Sequence, residues 1–150
     1  MSDNMKLWNA VSKSDKQYLK KVSFGQRSFT AIDPQYQVRC ATEQFGPVGQ
    51  GWGWRNETRF INLSGGDTAV IADVSIWTVS RENEFGPFSG CRTFYNASKG
   101  RIAEDAPKMA ITDGLTKALS HLGFNADVFL GEMDGNKYAA DSGKKDKGGW

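Results

Sequence analysis

Long apolar runs are missing from this 150-residue chain. No stretch approaches the roughly 18 residues that a membrane-spanning helix requires. The opening segment, MSDNMKLWNAVSKSDK, holds no apolar core of the kind a secretory signal carries, so the cytoplasm is the expected compartment and no membrane partner is expected. Cysteine is scarce: Cys40 and Cys91 stand far apart, without CxxC or Cys/His spacing, which speaks against zinc and against a disulfide framework. Histidine is scarcer still. His121 alone can form neither an HExxH pair nor a Ser-His-Asp set, and it reads as a surface or boundary residue of a helix. No GxxxxGK[ST] occurs, so no phosphate loop for ATP is expected. The glycines of GPVGQGWGW lead into a strand rather than a helix, which rejects a dinucleotide fingerprint. The N-x-S/T matches at Asn56, Asn62 and Asn96 carry no meaning in a chain that is not secreted. Cofactor, resident metal and enzymatic chemistry are therefore not expected. A metal-dependent nuclease would need carboxylates such as Asp73, Asp105 and Asp113 to converge.

What is present is an ordinary globular composition, 39% hydrophobic and 24% charged, which predicts a folded chain. One domain is expected over residues 1–141, followed by a Lys/Gly-rich, disordered tail at 142–150. The net charge of +2 is unevenly spread. Residues 1–60 carry 9 basic and 5 acidic side chains, a balance of +4, whereas residues 61–143 carry 7 and 11, a balance of −4. A basic front half suits a polyanionic partner, although a solvated surface explains it as well.

The pattern along the chain predicts an α+β fold. NMKLWNAVSKSD reads as a short amphipathic helix with Met5, Trp8 and Val11 on its apolar side. DKQYLKKVSFGQRSF leads into a short strand at RSFTAI. Asp33 and Pro34 open a helix, PQYQVRCATEQF, that Gly46 and Pro47 close. From Trp52 the period is two, with Trp52, Trp54, Asn56, Thr58 and Phe60 on one face and Gly51, Gly53, Arg55, Glu57, Arg59 and Ile61 on the other. GGD at Gly65–Asp67 turns the chain, TAVIADVSIWTVS is a strong strand, RENEFGP turns again, and FSGCRTFYNAS is a third strand. The expectation is an antiparallel β-meander of three to four strands with one long helix packed on it. That helix begins near Asp105, because Pro107 is tolerated only in a first turn. Its predicted apolar stripe is Ile111, Leu115, Ala118, Leu119 and Leu122, and Gly123 is its predicted cap.

Two basic constellations stand out. Gly51 and Gly53 share a strand face with Arg55 and Arg59. Small residues let a backbone approach and guanidinium forks suit phosphate, while the tryptophans would anchor the opposite face. A bulge with arginines paired to Glu57 and its neighbours is the plain alternative. The second is Lys13, Lys16, Lys20, Lys21 and Arg27, interleaved with Tyr18 and Phe24, whose rings either stack on unpaired bases or belong to the core. On the long helix, Lys108, Thr112, Thr116 and Ser120 form a polar row, and Lys117 is placed to pair with Asp113.

Two stretches together carry a family resemblance. RCATEQFGPVGQGWGW resembles the helix-then-FG-x-x-G-W segment of the Rad-fifty-two superfamily of single-strand annealing proteins. EDAPKMAITDGLTKALSHLGF resembles that family's A-x-x-x-A-x-T-D-[AG]-L-x-[RK]-A-L-x-x-[FL]-G helix through Ala106, Ala110, Thr112, Asp113, Gly114, Leu115, Lys117, Ala118, Leu119, Leu122 and Gly123. FTAIDPQYQ and SHLGFNADVFLG are similar to the bacteriophage, Sak-like branch. The resemblance runs from about Leu7 to Leu130. It implies an ATP-independent protein of phage recombination or repair that binds single-stranded DNA and anneals complementary strands. It also implies a homo-oligomeric ring with DNA in a basic groove between sheet and helix. Lys108 and Lys117 match basic positions of the family helix. Thr116 and Ser120 stand where eukaryotic members are basic, which shifts weight to Lys20, Lys21, Arg27, Arg55 and Arg59. Lys20 or Lys21 falls near a family arginine ahead of the first strand. Eukaryotic members add a long C-terminal region for recombinase and single-strand-binding-protein partners. The chain ends at Trp150, which speaks against those partnerships; a single-strand-binding protein is retained as a candidate partner. A structural oligomer without a nucleic-acid role is the alternative reading, with a nuclease behind it.

Overall fold

The computed structural model describes residues 3–131, apart from the side chains of Phe24 and Arg27. The expected tail at 142–150 lies outside the described residues. The structure is α+β, with antiparallel strands in two sheets and several helices. Among the described residues no helix is long and apolar enough to cross a membrane. The chain, read above as one domain, divides into two compact units: Val38–His121, and the residues before and after it.

The outer unit contains a strand that the sequence pattern did not resolve. Leu19–Phe24 (β1) pairs antiparallel with Arg27–Ile32 (β2), the strand expected at RSFTAI. The turn needs Gly25, which sits at φ 59 with open space around it. The N-terminal helix is shorter than expected, Lys6–Val11 (α1) after a 3-10 turn at Asp3–Met5. Val11 is buried, but Met5 is exposed and does not join the apolar side. A second helix, Pro34–Phe45 (α2), has the bounds its punctuation predicts. The Asp33 carboxylate accepts from the Gln35 N–H at 2.9 Å, and Gly46 closes the helix at φ 109.

Two distant stretches of this unit are laced together by buried polar groups. Asn125 N–H donates to the Val11 carbonyl at 3.1 Å and Asp127 N–H to that of Ser12 at 3.0 Å. The Asp127 carboxylate then accepts from the Ser14 N–H at 2.8 Å and from the Ser14 hydroxyl at 2.6 Å. Asn125 donates to the same hydroxyl at 2.7 Å and accepts from Gln37 at 3.0 Å. Gln37, Asn125 and Asp127 are all buried, so each polar group requires these partners. Gly123, at φ 104, passes so close to Trp8 that a Cβ would lie 2.8 Å from the Trp8 Cα.

The inner unit is a four-stranded antiparallel sheet ordered Trp52–Asn62 (β3), Thr68–Thr78 (β4), Phe85–Asn96 (β5) and Arg101–Ile102 (β6). The meander is as expected. Paired residues share a face, so Trp54 with Ile76, Asn56 with Val74 and Thr58 with Ala72 define one side, and Arg55 with Ser75, Glu57 with Asp73 and Arg59 with Ile71 the other. Ala106–Ser120 (α3) covers the first side. Its fit depends on small residues. A Cβ on Gly90 would lie 2.0 Å from the Ala110 carbonyl oxygen, and one on Gly114 would lie 2.7 Å from Val74. The buried positions of α3 are Ala106, Ala110, Gly114, Ala118 and Leu119. The predicted stripe is thus partly displaced: Ile111 and Leu115 are only half-buried, because side chains that long would hold the helix away from Gly90. His121 rather than Gly123 occupies the capping position of α3.

The two tryptophans of β3 differ. Trp52 is wholly buried, whereas Trp54 keeps 39% of its surface exposed, so only the first anchors the core. Gly53 is small for an internal reason: a Cβ there would lie 2.8–2.9 Å from the Trp77 indole. Gly51 likewise makes room for the Phe45 carbonyl at the end of α2. The open glycine face expected for a ligand backbone is filled by the protein itself.

Candidate nucleic-acid interface

On β3, Arg55 and Arg59 project from the sheet face opposite α3, four residues apart, or about 13 Å along an extended strand. Both are held by carboxylates. Arg55 Nε donates to Glu84 Oε2, and its Nη1 lies 3.8 Å from Glu57 Oε2. Arg59 Nε donates to Asp73 Oδ2 at 3.0 Å, while the Ser89 hydroxyl donates to Asp73 Oδ1 at 2.6 Å. The Ser89 hydrogen bond, followed by the Arg59 guanidinium, holds the Asp73 carboxyl below its ordinary range. With two guanidiniums against Glu57, Glu84 and Asp73, this face carries no surplus of positive charge. A phosphate would have to displace an intramolecular partner at each arginine.

On α3, Lys108 and Lys117 are both exposed, but nine residues separate them, two and a half helical turns, so they leave opposite sides of the helix. Lys117 does not take Asp113. That carboxylate is clamped by Arg92 of β5, with Nε to Oδ2 at 2.7 Å and Nη2 to Oδ1 at 3.1 Å, and the pairing raises the Arg92 pKa. The Lys117 carbonyl accepts from the Ser120 hydroxyl at 2.7 Å and lies 2.8 Å from His121 Nδ1. His121 is exposed, and its ring lies 4.5 Å from that of Phe88. The helix lysines and the strand arginines therefore lie across the sheet from one another. Within one chain they do not form a single groove.

The hairpin of the outer unit is different. Lys20 and Lys21 are exposed on adjacent positions of β1 and point to its two sides, Lys20 beside Ala31 and Lys21 beside Thr30. Two hollows adjoin them. One, of about 570 Å³, is lined by residues that include Tyr18, Lys20, Val22, Ala31, Ile32 and Asp33. The other, of about 240 Å³, is lined by Lys16, Leu19, Lys20, Lys21 and Thr30. Lys20 borders both. Phe29, 39% exposed, occupies the same face as Lys20 and Val22. Tyr18 is engaged elsewhere, stacked on Tyr36 at 4.5 Å between centroids and 12° between planes. Tyr36 in turn accepts from the Asp15 N–H at 2.8 Å. The side chains of Phe24 and Arg27 lie outside the described residues.

Sequence reasoning missed the partners rather than the cations. In the sequence Asp73 and Asp113 read as nuclease candidates, and Asp113 also as a partner for Lys117, while Glu84 does not stand out; only the folded chain shows that each neutralises an arginine. The spacing of Glu57 two residues from Arg55 and Arg59 was the available signal. The carboxylates considered for a nuclease do not gather: Asp73 and Asp113 belong to opposite sides of the sheet, and among the described residues no group of three His, Cys, Asp or Glu side chains is placed to hold a metal ion.

No family model matches the chain, and no curated protein matches it.

Proposed function

We propose that this protein binds single-stranded DNA and anneals complementary strands without ATP, acting as a homo-oligomer, with a ring as the assembly that the family resemblance implies. The observation that carries the reading is the β1–β2 hairpin, where Lys16, Lys20 and Lys21 line one hollow and Lys20 also borders a second. Ammonium groups on a narrow two-stranded ribbon suit a flexible, negatively charged strand, since they hold phosphates by charge without demanding a base sequence. Annealing then needs no covalent step. Neutralised strands approach one another, bases left unstacked sample pairs, and duplex stacking drives release. The site is centred on Lys20 and Lys21, with Lys16 added and Arg27 at the hairpin tip. Lys108 and Lys117 contribute from opposite sides of α3, and Arg55 and Arg59 contribute least because carboxylates already hold them. A phage-encoded protein of this kind works in the bacterial cytoplasm, with a single-strand-binding protein as a candidate partner.

The test is fluorescence annealing of complementary oligonucleotides in the absence of ATP and magnesium. Acceleration over the protein-free rate, lost as salt is raised, is the expected result. A protein that forms multimers yet ignores oligonucleotides would support the second reading, a structural oligomer. That reading is favoured by the charge-compensated face of β3.

A further inference from the structure

β3 is an outer strand of its sheet, and from Trp54 to Asn62 none of its residues is buried. Among the described residues its strand partner is β4 alone, and the one bridge to its other side, Val48 to Trp52, ends before that stretch begins. Proteins blunt such edges with lysine, proline, bulges or short length, because a row of unpaired N–H and C=O groups recruits other strands. β3 carries charge at Arg55, Glu57 and Arg59, of mixed sign and held in ion pairs, and otherwise uses none of these devices. It is 11 residues long, contains neither Lys nor Pro, and keeps an unbroken register with β4. The far side of the sheet is treated differently: β5 contains Pro87 and two register shifts, and β6 covers its end.

We propose that the free edge of β3 pairs antiparallel with β3 of a second copy of this chain, about a two-fold axis at Thr58. Paired residues must share a sheet face, so the axis passes through a residue and each alternative shifts the pairing by two. An axis at Glu57 would oppose Glu57 to Glu57 and Arg55 to Arg59. An axis at Arg59 would oppose the two Arg59 guanidiniums. An axis at Asn56 would draw in Trp52, whose carbonyl is occupied by the Gly49 N–H. The axis at Thr58 uses the whole unburied stretch, opposes Thr58 to Thr58, and sets Glu57 against Arg59 of the second copy twice. It also brings a second sheet alongside Trp54, Phe60 and Ile61, exposed by 39%, 52% and 36%. The contact is two-fold and closed, so it produces dimers or assemblies with an even number of subunits. It is independent of any role with nucleic acid.

Glu57→Lys and Arg59→Glu, each in the full chain, test it by sedimentation and native mass spectrometry, with circular dichroism to verify folding. Each variant alone places two like-charged pairs across the axis and should weaken association by about tenfold or more. An equimolar mixture sets the new lysine against the new glutamate and retains one native pair, so it should recover association as a 1:1 heterodimer. Should either variant fold poorly, Thr58→Lys places two ammonium groups at the axis without touching an ion pair of the chain, and should dissociate the pair. A variant that associates like the parent, a mixture that does not recover, a monomeric parent or an odd-numbered ring would overturn the proposal.

Discussion

Replacing Lys16, Lys20 and Lys21 together by alanine separates the hairpin from the other basic surfaces. All three are exposed and line one hollow, and Lys20 also borders a second, so a single strand passing over the hairpin meets three ammonium groups within a few residues. Each phosphate neutralised on a single strand contributes about 0.7 to the slope of log affinity against log salt, so the triple variant should lose about 2 units of slope. Over the range from about 50 to about 200 mM salt, that is a roughly 20-fold smaller fall in affinity than the parent shows. Fluorescence anisotropy of a labelled oligonucleotide at four or five salt concentrations measures it. Arg55→Ala with Arg59→Ala is the matched comparison. These guanidiniums are bound to Glu84 and Asp73, so their removal should change the slope by no more than about 0.5. A triple variant with the parental slope, or an arginine pair variant that loses the 2 units instead, would refute placing the contact on the hairpin.

Three further outcomes concern the fold. Gly90→Ala drives a methyl group into the Ala110 carbonyl and should cost about 2–3 kcal/mol, or roughly 5–10 °C in a melting experiment, whereas Gly100→Asn, at φ 58 with nothing nearby, should shift melting little. Asp127→Ala strands two half-buried donors of Ser14 and should cost about 1–3 kcal/mol in urea denaturation, with Asp127→Asn milder because one acceptor remains. The Asp73 pKa is lowered in the folded state, so its contribution is present above about pH 4 and is lost as pH falls further. Asp73→Asn should therefore flatten the acid limb of a stability-against-pH curve and leave its neutral region nearly level.

Much of the fold could be read locally. The bounds of α2 follow from Asp33, Pro34 and Gly46, and the alternation after Trp52 assigns every β3 side chain to its correct face. These features depend on neighbours within a few positions, where capping and strand period act. The site was less legible. Whether Arg55 is free for phosphate depends on Glu84, which approaches it only after β4 and β5 fold back, and Gly53 looked open until Trp77 of the neighbouring strand filled the space.

Alone, the sequence determined the bounds of α2, the course of the three long strands and which β3 side chains share a face, because those choices are made by steric and capping preferences within a turn or two; it left β1 unresolved and made α1 too long. The tertiary structure alone decided which charges survive as available charges. It paired Arg59 with Asp73 and Arg92 with Asp113, put the lysines of α3 across the sheet from the arginines of β3, and set Lys20 and Lys21 on the two sides of β1. Charge compensation acts through space over a few ångströms, and residues that far apart in the chain become neighbours only when the sheet is assembled.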